Sequence, residues 1–191
     1  MLTDEELRML LVRVGSKKVV HVGCGPERVI HQVFTDWIPI HVDIDESVKP
    51  DVVDDCIKLS KFENESVDGI YSSHNIEHLN HLDGEAALEN YHRVLKPGGL
   101  LVITCPDLMY VCRMVVEGKL FDKAYDSPAG PITPADMLYG YIPYARANVY
   151  QIHRFGYTRD SLEQALFRNR FFANVFAAKD SFALWAFAHK M

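Results

Sequence analysis

The chemistry-bearing residues fall into three groups. The first is Val20-His21-Val22-Gly23-Cys24-Gly25-Pro26, a β-branched run ending in Gly-x-Gly. Glycine lets the backbone turn sharply and lets a ligand approach where a Cβ would block it. A strand, this turn and a following helix with unpaired N-terminal N–H groups would seat a nucleotide. Asp43 stands 18 positions after Gly25, close to the spacing at which a dinucleotide fold places a ribose-binding acid. A carboxylate accepts in two directions, which suits a vicinal diol. An ordinary tight turn and a capping Asp account for the same residues. The second group is His74-Asn75-Ile76-Glu77-His78, which fits the His-x-x-Glu-His pattern of inverted zinc peptidases. On a helix, His74 and His78 would share a face and bind zinc. The run opens at a strand end and no distal third ligand stands out, so a zinc hydrolase through His74, Glu77 and His78 is a remote alternative. The third group is five arginines between 142 and 170, Arg146, Arg154, Arg159, Arg168 and Arg170, against Asp160 and Glu163. Guanidinium forks suit carboxylate or phosphate. They point to an anionic small molecule such as a sugar nucleotide or carboxylate metabolite. Arg168 and Arg170 read better as solvated helix surface.

The elements that must position these groups alternate. Residues 3–14 read as a helix with a Thr3–Glu6 capping box and Leu7, Leu10, Leu11 and Val14 inward. A strand at Val19–Val22 is followed, past Pro26, by a helix with Val29, Ile30, Val33, Phe34 and Trp37 on one face. A second strand ends at Asp43. Only 44–51 separate it from a short strand at Val52-Val53, fewer residues than a helical crossover needs, so one sheet face near this edge is left open unless another element or subunit covers it. Leu59–Glu65 is a loop and Val67–Ser73 a strand. Asp83 caps a helix to about Leu95, with Glu89 paired to Arg93, and Leu100–Thr104 is a buried strand. From Pro106 to Tyr157 the chain is rich in Pro, Gly and Tyr beyond a short helix at 107–118, and reads as a lid over the carboxyl edge. Thr158 caps a last helix. Strands at 173–178 and 182–188 close the chain around a turn at Lys179-Asp180-Ser181.

Composition supports one domain over residues 1–191. The chain is 48% hydrophobic and 24% charged, with a net charge of −6. That balance gives no general electrostatic support to nucleic-acid binding. No apolar run reaches the ~18 residues of a membrane span. The acidic start lacks the pattern of a signal peptide. The four scattered cysteines suit a reducing cytoplasm.

Taken in order, Val20-His21-Val22-Gly23-Cys24-Gly25, Asp43, Asp55-Cys56 with Leu59, Ser66–His74 with Glu77-His78-Leu79, and Arg93–Leu101 resemble class I S-adenosylmethionine-dependent methyltransferases of the type 11 kind. Later stretches, Ile132–Gly140, His153–Thr158 and Leu184–Ala188, are similar to a bacterial branch of small predicted methyltransferases. The resemblance implies an α/β, Rossmann-like fold: a mostly parallel sheet with an antiparallel last strand. The residues themselves add a shortened crossover after the second strand and an acceptor lid at about 107–157. The resemblance also implies S-adenosylmethionine as cofactor and S-adenosylhomocysteine as product. Gly23, Cys24 and Gly25 would pass under the methionine and ribose part, and Asp43 would hold the ribose hydroxyls. Asp55 and the Cys56 N–H would meet the adenine, and the segment from Ser72 through Ser73 to His74 would lie beside the sulfonium. Three features depart from the family pattern. His21 stands where an acid is usual, Glu27 stands where a third glycine is usual, and the second crossover helix is missing.

Methyl transfer needs a positioned acceptor and a group to take its proton. A histidine suits that task near neutral pH. His74 is the first candidate base and His153, on the lid beside Arg154, the second. Arg154, Tyr157 and Tyr139 are the candidate acceptor-binding residues, O-methylation is the expected reaction, and no metal ligand is assigned. The lid tyrosines suit the interface of a homodimer as well. The alternative function is a non-catalytic sensor or partner protein that binds S-adenosylmethionine or S-adenosylhomocysteine.

Overall fold

The computed structural model describes residues 1–12, 15–146, 148–177 and 182–191. Helix α1 (Asp4–Val12) opens the chain, its first turn closed by reciprocal bonds between Thr3 and Glu6. Then come β1 (Lys18–Val22), β2 (Ile38–Asp43), β3 (Val52–Val53), β4 (Val67–Ser73), α2 (His81–Val94) and β5 (Leu95–Pro106). Helix α3 (Leu108–Val116), the hairpin β6 (Tyr125–Ser127) and β7 (Gly130–Ile132), and the short helices α4 (Pro134–Tyr139) and α5 (Ile142–Ala145) form the insert. Helix α6 (Arg159–Arg168), β8 (Phe171–Ala177) and β9 (Ala183–Lys190) complete the fold.

Seven strands form one sheet in the order β3-β2-β1-β4-β5-β9-β8. Neighbours pair in parallel from β3 to β5, while β9 runs antiparallel to both β5 and β8. This is the expected α/β architecture with its one reversed strand. Alternate residues divide the sheet into two faces. Val20, Val22, Ile40, Val42, Ile70, Leu101, Ile103, Leu184 and Ala186 pack beneath α1, α2 and α6, through Leu7, Leu88, Tyr91, Leu162 and Leu166. The opposite face carries Val19, Tyr71, Val102, Trp185 and Phe187, covered by Ile30, Phe34 and Trp37 from the β1–β2 connection. A Cβ on Gly69 would come within 2.6 Å of Trp37, so that glycine is what lets the indole approach the strand so closely.

That connection corrects the sequence reading. No α-helix follows the glycine turn; one 3₁₀ turn at Gln32–Phe34 stands in its place. Arg28 adopts a left-handed φ of 53°, which ends any helix begun at Pro26. The His31 imidazole then accepts from the Val33 N–H at 3.1 Å and restarts only a single turn. Too few residues remain before β2 for a stable helix. Helix α2 is capped by Asn80 rather than Asp83, whose N–H donates to the Asn80 side chain. Arg93 does not pair with Glu89. Its guanidinium donates to the carbonyls of Lys58, Leu59 and Phe62 and so holds a helix-free β3–β4 crossover in place. The insert is more ordered than its composition suggests, with Val111, Ile132 and Met137 forming a small core of their own. Val14 and the turn at 179–181 lie outside the described residues.

Candidate active site

The carboxyl ends of β1, β2, β3 and β4 meet at a cavity of about 230 Å³. One wall is the glycine turn. Gly23 and Gly25 both hold positive φ, 60° and 57°. Asp43 pins the turn: one carboxylate oxygen accepts the Gly25 N–H and the other the Asp45 N–H, each at 2.9 Å. A carboxylate has about four acceptor sites, so two remain for a ligand. A Cβ on Gly25 would meet nothing within 4 Å. A Cβ on Gly23 would overlap the Asn75 side chain. The second wall is Asp54, Asp55, Cys56 and Ile57. Asp54 is spent on structure, accepting from Asp55, Ser60 and Lys61. Asp55 fixes its own loop by accepting the Ile57 N–H at 2.9 Å. Burial first, then nearby carboxylates, push the Cys24 thiol up to about 11; burial likewise pushes Cys56 up to about 11. Neither is a thiolate nucleophile at neutral pH.

The third wall is His74, Asn75, His78, Leu79 and Asp83. His74 sits just past β4 with a left-handed φ of 46°, an uncommon conformation for a non-glycine residue. Its Nδ1–H donates to Glu77 Oε1 at 3.2 Å, which leaves Nε2 as the basic nitrogen. Desolvation pulls the His74 pKa down, but the hydrogen bond and charge of Glu77 outweigh it and the net shift is upward. Glu77 is 1% exposed. Burial pushes its carboxyl up, yet the His74 bond and the charges of His74, His78 and His153 hold it below the usual range. The backbone carbonyl of Glu77 accepts the N–H groups of Arg154 and Phe155 at 2.8 and 3.1 Å. Those two bonds lay the end of the insert across the cavity, where Tyr150, Gln151 and Arg154 close it.

Residues 20–103 match the family model described as a methyltransferase domain. The fold agrees. A SAM-dependent methyltransferase from Archaeoglobus fulgidus superposes with a TM-score of 0.60 at 16% identity, covering 98% of this chain and 95% of that one. An S-adenosylmethionine-dependent methyltransferase from Mesorhizobium loti gives 0.58 at 19%, covering 98% of each chain. The 1,6-didemethyltoxoflavin-N1-methyltransferase of Burkholderia thailandensis, solved with 1,6-didemethyltoxoflavin and S-adenosylhomocysteine, gives 0.60 at 16%, covering 98% of this chain and 76% of that one. No curated protein matches the sequence.

Around this cavity the predicted residues divide. Gly23, Gly25, Asp43, Asp55, Cys56, His74 and Arg154 all line the one cavity. Cys24 is buried beneath the turn, donating its N–H to the Val42 carbonyl at 3.1 Å. Ser73, Tyr139 and Tyr157 stand apart from the cavity lining. Ser73 stands two residues on from Tyr71 in β4 and so on the opposite sheet face with it. Tyr139 is 63% exposed, and its backbone carbonyl receives the His153 N–H. Tyr157 is a core residue at 2% exposure, packed edge-on against Phe155, because a parallel bridge to Asp107 draws its strand segment inward. His153 does not line the cavity. It lies behind His78, ring centroids 4.7 Å apart, with its Nδ1–H donating to the Met137 carbonyl at 2.8 Å. His74 and His78 share no helix face, because Ile76–His78 is a 3₁₀ turn. The zinc-peptidase arrangement of the two is therefore not formed. His21 faces the other side of the sheet, 3% exposed and packed on Tyr71 and His41, and Glu27 is solvent-exposed. Neither of these two departures from the family pattern touches the cavity lining. Of the five arginines only Arg154 reaches it, while Arg168 pairs with Glu85. Sequence reasoning missed Asn75, Tyr150 and Gln151. Asn75 carries a signal after the fact, since Gly23 has no room for a Cβ beside it.

Among the described residues no helix is long and apolar enough to cross a membrane.

Proposed function

We propose that this chain is an S-adenosylmethionine-dependent methyltransferase that methylates an oxygen of a small, anionic acceptor. The observation that carries the reading is one cavity shared by the glycine turn, the Asp43 and Asp55 carboxylates, a Glu77-oriented histidine and an arginine. The residues present suit the cofactor. Gly25 leaves open space above the backbone, Asp43 keeps acceptor sites for the ribose hydroxyls, and Asp55 beside Ile57 offers an acceptor and an apolar surface to the adenine. The bound cofactor supplies a methyl group already activated on a sulfonium. His74, held through Nδ1 by Glu77, receives the acceptor's proton at Nε2. Arg154 holds an acceptor carboxylate or phosphate at the cavity mouth. It is solvent-exposed and forms no ion pair among the described residues. The toxoflavin-type neighbour, with its small-molecule acceptor, supports an acceptor of that size, and four free cysteines suit a cytoplasmic setting.

The test is calorimetry with S-adenosylhomocysteine, followed by an acceptor screen that reads cofactor turnover. Asp43→Ala is expected to weaken cofactor binding by roughly tenfold or more, the worth of a charge-assisted hydrogen bond. His74→Ala is expected to lower kcat with cofactor affinity kept. Arg154→Ala is expected to raise the acceptor KM about tenfold. Absence of cofactor binding by the folded wild-type chain overturns the reading, and an unchanged KM in Arg154→Ala removes the anionic acceptor.

A further inference from the structure

We infer that Glu77, His78 and His153 form a site for one divalent transition-metal ion of the zinc type, beside the methyl-transfer cavity. Each offers one ligand atom, and the three atoms lie within 4.8 Å of one another. Donors on a common zinc ion sit at bond lengths of about 2.0–2.2 Å, so modest side-chain rotation closes the three around an ion.

Two further observations point to a ligand there. The first is the state of the imidazoles. A carbonyl oxygen only accepts, so the contacts of His78 Nδ1 with Ile152 O at 3.2 Å and of His153 Nδ1 with Met137 O at 2.8 Å place a hydrogen on each Nδ1. Each ring therefore carries its lone pair on Nε2. A metal-binding histidine is oriented in the same way, its second nitrogen donating to a carbonyl or carboxylate. The second is the carboxylate. Glu77 Oε1 is engaged by His74, but Oε2 is fully buried and has no hydrogen-bond partner. An unpaired buried acceptor costs about 1–3 kcal/mol, and more when charged. A cation at this point satisfies it.

The scaffold is rigid enough to hold three ligands. Glu77 and His78 belong to one 3₁₀ turn. His153 is fixed by its own N–H to the Tyr139 carbonyl and by the bonds from Arg154 and Phe155 to the Glu77 carbonyl. Two imidazoles and one carboxylate with an open position suit zinc or another first-row transition ion, whereas magnesium and calcium favour oxygen-only sets. His78 also lines the cavity next to His74. An ion held in part by His78 would lie beside the space given to the acceptor, and an acceptor hydroxyl that reached it would be made more acidic. This use of the ion rests on the methyltransferase reading; the site itself does not.

The test uses the purified full chain, stripped with a chelator and titrated with Zn²⁺ by calorimetry and with Co²⁺ by visible absorption. One equivalent of each is expected, with Co²⁺ bands of a low-coordinate nitrogen-ligated site. His153→Ala and His78→Ala, checked for folding by circular dichroism, are each expected to weaken Zn²⁺ by about 1,000-fold or more, beyond the ~10–100-fold loss typical of outer-shell changes. His189→Ala, on an exposed histidine at the far end of the sheet, leaves it unchanged. No stoichiometric ion, or equal binding by His153→Ala, overturns the site. S-adenosylhomocysteine binding measured in chelator separates the two readings: cofactor without ion sinks only the metal site, and ion without cofactor sinks only the methyltransferase.

Discussion

Two glycines make a controlled pair. Gly25 and Gly98 both hold left-handed backbone, φ 57° and 72°, and a Cβ on either would meet nothing within 4 Å. Alanine at each position therefore brings the same intrinsic penalty, about 1–2 kcal/mol for an L-residue in that region. In a chain of this size that lowers Tm by roughly 2–8 °C. The two positions differ in what the open space is for. Gly25 lines the cavity, whereas Gly98 is exposed near the start of β5. The Gly25→Ala methyl enters the volume given to the cofactor, where overpacking costs about 1–3 kcal/mol, a loss of roughly 5- to 150-fold in affinity. The assay is paired scanning calorimetry and S-adenosylhomocysteine titration of both variants. Similar Tm losses are expected, with the affinity loss confined to Gly25→Ala. Wild-type affinity in Gly25→Ala, or an equal loss in Gly98→Ala, would refute the assignment of the cavity.

Two other perturbations test the scaffold. Burial first, then the neighbouring His41, lower the His21 pKa to about 4. The unfolded chain takes up this proton near 6.5 and the folded chain does not, so stability is retained above pH 6.5 and lost as pH falls toward 4, by up to about 3 kcal/mol. His21→Leu is expected to flatten that part of a Tm-versus-pH curve; an unchanged slope assigns acid sensitivity elsewhere. At the insert, a Cβ on Gly140 would overlap the Gln151 carbonyl and lie 3.2 Å from the His153 N–H. Gly140→Ala is expected to displace the 149–154 segment and raise the acceptor KM at least about tenfold, leaving the sheet folded. A normal KM would show that this segment does not seat the acceptor.

What the sequence disclosed follows from the range of the physics involved. Gly23, Gly25 and Asp43 were legible because a glycine turn and an acid at the next strand end are set by spacing along two neighbouring strands. The missing helix after Gly25 was not legible, since Val29, Ile30, Val33, Phe34 and Trp37 keep a helical period while one left-handed residue, Arg28, decides the backbone. Those side chains still bury toward the sheet, so the pattern reported the buried face correctly and the element wrongly. In the insert, Tyr139, Tyr150 and Tyr157 look alike in sequence; one is exposed, one closes the cavity and one is core. No periodicity separates them because the segment has no repeating backbone.

The same limit explains His153. In the sequence it stands out through its neighbour Arg154, yet its place beside Glu77 depends on main-chain bonds from Arg154 and Phe155 to the Glu77 carbonyl. Main-chain bonds leave no residue-type signature, so a site half of whose wall is hung on them shows only one half in the sequence. The visible half here is the side the proposed function gives to the cofactor, built on strand ends. The hidden half is the side it gives to the acceptor, where the Glu77 carbonyl seats the insert, one carboxylate oxygen orients His74, and the other is buried without a hydrogen-bond partner. Under the proposed function and ion site, a buried carboxylate placed in that way would couple acceptor seating, proton removal and ion binding through one residue, which is why substitutions at His153 or Gly140 are expected to act on the acceptor before they act on the cofactor.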